Sequence, residues 1–369
     1  MVGASLVVGL RPGVMDLLRQ LLAPWPVPRG GKPTVTYRGV NLGGWLVLER
    51  WMTPGLFAGL QAKDEYSFCT ELGPAAAERL AAHRASFITQ ADLEWIASHG
   101  LNAVRLPVPH WVYGGYDPYV ACIDRVRWLM DAAARTGLGV LLDLHTAPGS
   151  QNGQDHSGHI GPLQWNTSAN RKQTIEILER LVVDFGDHPA LIGIELLNEP
   201  GQKLPLRSLQ RFYEQAYACL DWHRQPGDAW GIVAHDSFRP SRLKLGRMQD
   251  MVVDMHLYQA FSKEDIALDM EGHIAKAAYS WPVLIRKLGK YVPVIVGEWS
   301  LGLDGRTFKS MTDTQLDKAM QRYAAAQLQG FADADGWFFW NYKTQGDDMA
   351  GWNYRTCVER GWLPMDYHD

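Results

Sequence analysis

Glu199 and Glu298 each close a run of apolar residues, in the segments LIGIELLNE (191–199) and VPVIVGEW (292–299). Two carboxyl groups facing one another across a cleft can break a glycosidic bond. One protonates the leaving oxygen and the other attacks the anomeric carbon. If they stand about 5–5.5 Å apart, a covalent sugar–enzyme intermediate forms and the anomeric configuration is retained. Arg105, Asp143, His145, Asn198, Asp254, His256, Tyr258 and Trp340 also fall at or near the ends of apolar runs. Charges serving solubility alone would be scattered; these recur after four or five apolar residues.

Eight such runs occur, at 38–45, 101–108, 138–145, 191–199, 230–235, 251–258, 292–299 and 335–342. Several are continuously apolar, as strands buried on both faces are. Amphipathic segments lie between most of them, at 75–98, 118–136, 168–186, 206–224, 264–289 and 312–330. Strands alternating with helices imply parallel βαβ units, and eight of them fit a closed (β/α)8 TIM barrel. A doubly wound sheet competes, but Gly39, Gly43 and Gly44 lack the GxGxxG spacing of its phosphate loop. The expectation is an α/β single domain over 37–369, preceded by an N-terminal extension at 1–36 that forms a short cap with a helix at 12–22.

Barrel enzymes work at the C-terminal ends of their strands, where the polar residues lie here. Residues two apart on a strand share a face. Glu195 is therefore expected about 13 Å below Glu199, as a hydrogen-bonded interior carboxylate. Asp143 and Asp254 are expected one layer below His145 and His256, orienting them.

Composition narrows the partners. Lys and Arg total 36 against 40 Asp and Glu, a net charge of −4. There is no basic excess for nucleic acid, and no apolar run long enough to span a membrane. The four widely spaced cysteines form neither a zinc ribbon nor a disulfide framework. The 15 Trp stand out; flat aromatic faces serve cores, interfaces or sugar platforms. Trp45, Trp51, Trp111, Trp165, Trp299 and Trp352 are left open between these uses. Trp95, Trp128 and Trp222 lie in helical patterns and are expected to pack.

Read in order, GVNLGGWLVLERWMTPGLF (39–57), DEYSFCTELG (64–73), NAVRLPV (102–108) and DLHTAPGSQNG (143–153) resemble glycoside hydrolase family 5. So do IGIELLNEP (192–200), HLYQAF (256–261), VGEWS (296–300) and GWFFWNYKT (336–344). The nearest branch is that of the yeast-type exo-β-1,3-glucanases, and the resemblance runs from about residue 37 to 364. It implies a retaining β-glucan hydrolase, exo-acting in first preference and able to transfer glycosyl units, needing no metal or cofactor. It makes Glu199 the acid/base and Glu298 the nucleophile. Asn198 would hold the sugar 2-hydroxyl, and Arg105 and Tyr258 would keep Glu298 ionised and aimed. His145 and His256 would bind hydroxyls or orient Glu199, which must start the cycle protonated. Trp340 would floor the innermost subsite, Glu49 would hold outer hydroxyls, and Phe261 would be half of an aromatic clamp at the entrance.

The sequence departs from that branch in two places. Gln154 stands where the second clamp aromatic is expected, and His156 replaces an Asn. Only Leu301 to Met311 follows the nucleophile strand, where the branch has a long insertion. A shorter wall opens the pocket and admits endo-cleavage, of β-1,3- or β-1,6-glucan, or a bulky aglycone. Rival readings are a metal-dependent barrel hydrolase using Asp254 and His256, and a non-catalytic sugar-binding protein. No signal peptide is visible, which fits a cytoplasmic protein or a secreted one without its leader. Oligomeric state is left open.

Overall fold

The computed structural model describes residues 36–367, apart from 226, 241, 243–247, 249, 347 and 348. The expected extension at 1–36, with its helix at 12–22, lies outside the described residues but for Thr36.

Eight parallel strands close into a barrel in sequence order. They are β1 (Tyr37–Asn41), β2 (Ala103–Val108), β3 (Gly139–Leu144), β4 (Leu191–Glu195), β5 (Gly231–His235), β6 (Val252–Leu257), β7 (Val294–Trp299) and β8 (Gly336–Phe339). Every expected run carries one, so the (β/α)8 reading holds. The runs look continuously apolar because both faces are buried. Outward residues such as Val104, Leu142, Ile194, Ile232 and Val296 pack beneath the helices in the main core. Inward residues Ala103, Leu141, Val233, Ile295 and Phe338 form a small apolar plug inside the barrel. Two residues further up, the interior turns polar, at Asn41, Arg105, Asp143, Glu195, His235 and Asp254, all fully buried.

The helices are more divided than expected. The segment 75–98 breaks into Ala75–Ser86 and Gln90–Ser98, because Thr89 caps the second helix in a reciprocal box with Asp92. The segment 264–289 becomes Lys263–Ile266, Met270–Ala275, a π turn and Trp281–Gly289, with Ser262 and Asp269 each starting a new helix by a side-chain cap. Ile123–Thr136, Ser168–Phe185, Leu206–His223 and Asp313–Gly330 fall close to their expected places. Among the described residues no helix joins β5 to β6. None is long and apolar enough to cross a membrane. The four cysteines are free, three of them buried.

Four of the six undecided tryptophans, Trp45, Trp111, Trp165 and Trp299, are fully buried. Trp51 and Trp352 reach the mouth instead, edge to face with ring centroids 5.7 Å apart. The packing expected of Trp222 is not found: it is 85% exposed. Leu209, Phe212, Tyr213, Ala216 and Leu220 set the buried face of its helix, and Trp222 lies on the opposite side.

Candidate active site

The guanidinium of Arg105, on β2, is the hub of the polar layer. Nε donates to Glu195 Oε2 at 2.9 Å, one terminal nitrogen to Asn41 Oδ1 at 2.9 Å and Glu298 Oε1 at 3.0 Å, the other to Asn198 Oδ1 at 2.9 Å. Asp143 lies 3.2 Å away and Asp254 3.7 Å. Burial disfavours this charge, but Asp143, Glu195, Glu298 and Asp254 overcome it and hold the cation firmly. Burial pushes the Glu195 carboxyl well up, against the pull of Arg105. Glu195 is thus the interior hydrogen-bonded carboxylate that strand parity suggested.

Glu298 sits on β7 opposite His256 of β6, in register. Arg105 holds one oxygen, and the Tyr258 hydroxyl donates to the other at 2.7 Å. Glycine is required at 297: a Cβ there would lie 1.8 Å from Asp254 Oδ2. The bare backbone instead lets Gly297 N donate to Asp254 Oδ1 at 2.6 Å. Asp254 is thereby fixed beneath His256, with 3.4 Å between Oδ2 and Nε2. Arg105 stands beside that same Asp254 oxygen, so a cation already answers the charge that the metal reading would give an ion.

Glu199 departs from the expected geometry. β4 ends at Glu195, Leu196 and Leu197 are both buried, and Glu199 is reached through a left-handed backbone at φ +40°. Alternation of faces therefore stops before Glu199. A non-glycine residue in that region carries backbone strain, which surrounding contacts must hold. They are present. Asn152 Nδ2 donates to the Glu199 carbonyl at 3.1 Å, and Gln151 Nε2 to the Asn198 carbonyl at 3.0 Å. The carboxylate lies between two histidines, with Oε1 2.7 Å from His256 Nδ1 and Oε2 3.2 Å from His156 Nε2.

His256 joins the two glutamates. The same Nδ1 is 2.7 Å from Glu199 Oε1 and 3.3 Å from Glu298 Oε2. Laid end to end, those contacts cap the separation of the two oxygens at about 6 Å. An inverting pair leaves roughly 6.5–9.5 Å for a water molecule.

The remaining expected residues surround this pair. Asp143 Oδ2 meets His145 Nδ1 at 2.6 Å, as strand parity required. His145 Nε2 lies 3.4 Å from Asn198 Nδ2, and its ring runs parallel to Trp340, with centroids 5.5 Å apart. Glu49 is buried, accepts from Trp51 Nε1 at 2.8 Å, and is pushed up to about 8 by burial and then by Asp155. Phe261 is 69% exposed at the rim, with its ring 5.8 Å from Trp352. Gln154 is exposed and supplies no second clamp ring. The short loop after β7 packs directly under Trp352: a Cβ on Gly302 would lie 2.1 Å from that indole.

Burial opposes the ionisation of Glu199, but hydrogen bonds from His156 and His256 overcome this and pull its carboxyl well below the ordinary range. Sequence reasoning missed Asn41, Gln151 and Asn152. Asn41 obeys the strand-end rule and was recoverable from it. Gln151 and Asn152 act on backbone carbonyls, a role that leaves no trace in residue spacing.

Residues 75–346 match the model of Cellulase (glycosyl hydrolase family 5). The chain is 33% identical over 373 residues to a probable glucan 1,3-beta-glucosidase A of Aspergillus niger, covering 90% of this chain and 88% of that one. It is likewise 33% identical over 384 residues to a glucan 1,3-beta-glucosidase of Schwanniomyces occidentalis, with the same coverage. Among solved structures, rutinosidase from Aspergillus niger shares the fold at a TM-score of 0.76 and 20% identity, over 90% of this chain and 98% of that one. The chain belongs to glycosyl hydrolase family 5 and is a retaining glycoside hydrolase.

Proposed function

We propose that this protein hydrolyses β-1,3-linked glucan from its non-reducing end, with Glu298 as nucleophile and Glu199 as acid/base. The observation that carries the assignment is the single His256 nitrogen in contact with both carboxylates. It holds the two groups close to one another, as a double displacement requires. Glu298 attacks the anomeric carbon while the bond to the leaving oxygen breaks and that oxygen takes a proton by way of Glu199. Water then gives a proton to Glu199 as its oxygen bonds to the anomeric carbon and Glu298 departs.

The substrate class follows the activity for which the two relatives spanning most of the chain are named. Arg105 and Tyr258 hold Glu298 as the attacking carboxylate. Trp340 and Asn198 line the innermost sugar site, and Glu49 takes its outer hydroxyls. Transfer to a sugar acceptor competes with water at the second step. Endo-cleavage is the second reading, favoured by the short Leu301–Met311 wall and the missing ring at Gln154.

Early products from linear β-1,3-glucan test both readings. Glucose alone, released first as the β-anomer, is expected; a ladder of oligomers would establish endo-action. An α-anomer as first product would overturn the double displacement. No cleavage of β-1,3-glucan alongside turnover of another β-glucoside would remove the substrate assignment but keep the chemistry.

A further inference from the structure

The two histidines on Glu199 have opposite surroundings. His256 is 6% exposed, with Glu199 and Glu298 at Nδ1, Asp254 at Nε2 and the His235 ring edge to face at 4.3 Å. Burial works against a charge on this ring, and Glu298, Asp254 and Glu199 prevail.

His156 is built differently. It comes from the 3-10 turn Asp155–Ser157, and its side chain is 20% exposed at the mouth. Its Nε2 has two partners of opposite kind. Glu199 Oε2, an acceptor, lies at 3.2 Å, and Asn152 Nδ2, a donor, at 2.8 Å. Charged, the ring donates to Glu199; neutral, it accepts from Asn152. Either state gives Nε2 a partner, so a proton can leave and return while the ring stays held, and Asn152 keeps the Glu199 carbonyl as an acceptor throughout. Three carboxylates face this ring: Glu199 from the turn after β4, Glu49 from the loop after β1, and Asp155 beside it, 3.7 Å from Nδ1. The fourth titratable neighbour, His145 at the end of β3, lies edge-on with centroids 5.9 Å apart.

Resting on the reading of Glu199 as acid/base, we infer that His156 is a positioning residue that stores, beside Glu199, the proton the leaving oxygen takes up. In the first step the proton on Nε2 passes to Glu199 Oε2 and from Glu199 to the departing oxygen. That leaves His156 neutral on Asn152 and Glu199 as the carboxylate. In the second step the attacking water's proton goes to Glu199 and back to Nε2. Burial holds the His156 ring down, but Glu199, Glu49 and Asp155 raise it to about 9, so the store stays filled through neutral pH.

His156→Asn and His156→Gln supply N–H groups but no titrating proton. A dinitrophenyl β-glucoside needs no proton at its leaving oxygen, whereas laminaribiose does. In either variant kcat/KM is expected to stay within about twofold for the first and fall tenfold or more at pH 8 for the second. The upper limb of the laminaribiose profile should also move down by a pH unit or more. Thermal melts identify a variant that has merely lost its fold, and either folded variant decides. Equal losses on both substrates, or an unmoved upper limb, would overturn the inference. Glu199→Ala is the control, expected to show the same substrate split more strongly. If it shows none, the reading of Glu199 falls and this inference with it. If it shows the split and neither His156 variant does, only the role of His156 falls.

Discussion

The two glutamates share one histidine but little else. Glu298 stands on a strand, held by a cation that cannot discharge and by a tyrosine hydroxyl. Glu199 stands beyond a strand, on a left-handed turn, between two imidazoles. Glu298 is gripped by a fixed charge and a hydroxyl, Glu199 by two imidazoles, one on β6 and one on the turn Asp155–Ser157. A nucleophile keeps one protonation state until it reacts, whereas an acid/base must change state twice per turnover. The response of this enzyme to pH should therefore be set on the Glu199 side.

The largest test of that contrast is Glu298→Gln. It should lower kcat/KM on the order of 10^4-fold or more, equally for activated and unactivated substrates and at every pH. A residual rate above one per cent of the unmodified enzyme would break the assignment. Next comes Arg105→Met, which strands several buried carboxylates. Its expected cost is about 3–5 kcal/mol in a urea unfolding curve. A smaller loss would mean that the neighbouring carboxylates already take up protons and tolerate its absence.

Tyr258→Phe removes one donor from Glu298. A drop of about 10²-fold in kcat/KM is expected, with the upper pH limb left where it was. A moved limb would place titration on the Glu298 side and erase the distinction. The mildest test concerns Glu49, whose carboxyl rises from an ordinary value near 4.5 to about 8 in the folded protein. A group raised on folding stabilises below its unfolded pKa and loses that contribution as pH rises through the folded one. Glu49→Gln should therefore gain thermal stability relative to the parent between pH 5 and 9. Melting curves that stay parallel over that range would show Glu49 ionised throughout.

The eight strands were legible because burial on both faces leaves an unbroken apolar run, and the polar layer because it ends those runs. What escaped depended on single side chains answering the backbone. Thr89, Ser262 and Asp269 divide segments that periodicity joins, although Thr89-x-x-Asp92 was itself a readable capping box. The left-handed turn at Glu199 has no glycine to announce it, so the parity argument ran on past its strand. His156 was noticed as a substitution, but its meaning depends on Asn152 and Glu199, which the fold alone brings to it. Trp222 obeyed its helix and not its hydrophobicity.

Arg105 carries a consequence for how the enzyme is made. Its partners come from β1, β3, β4, β6 and β7 or from the turn after β4. A growing chain that has completed only β1–β4 can pair it with Asn41, Asp143 and Glu195, but not with Glu298 or Asp254. The guanidinium thus acts as a keystone: the two halves of the barrel meet at it, and the nucleophile is gripped only once they have closed. No half-barrel can rehearse the chemistry, and a nascent chain is inert toward glycosides until its seventh strand has arrived.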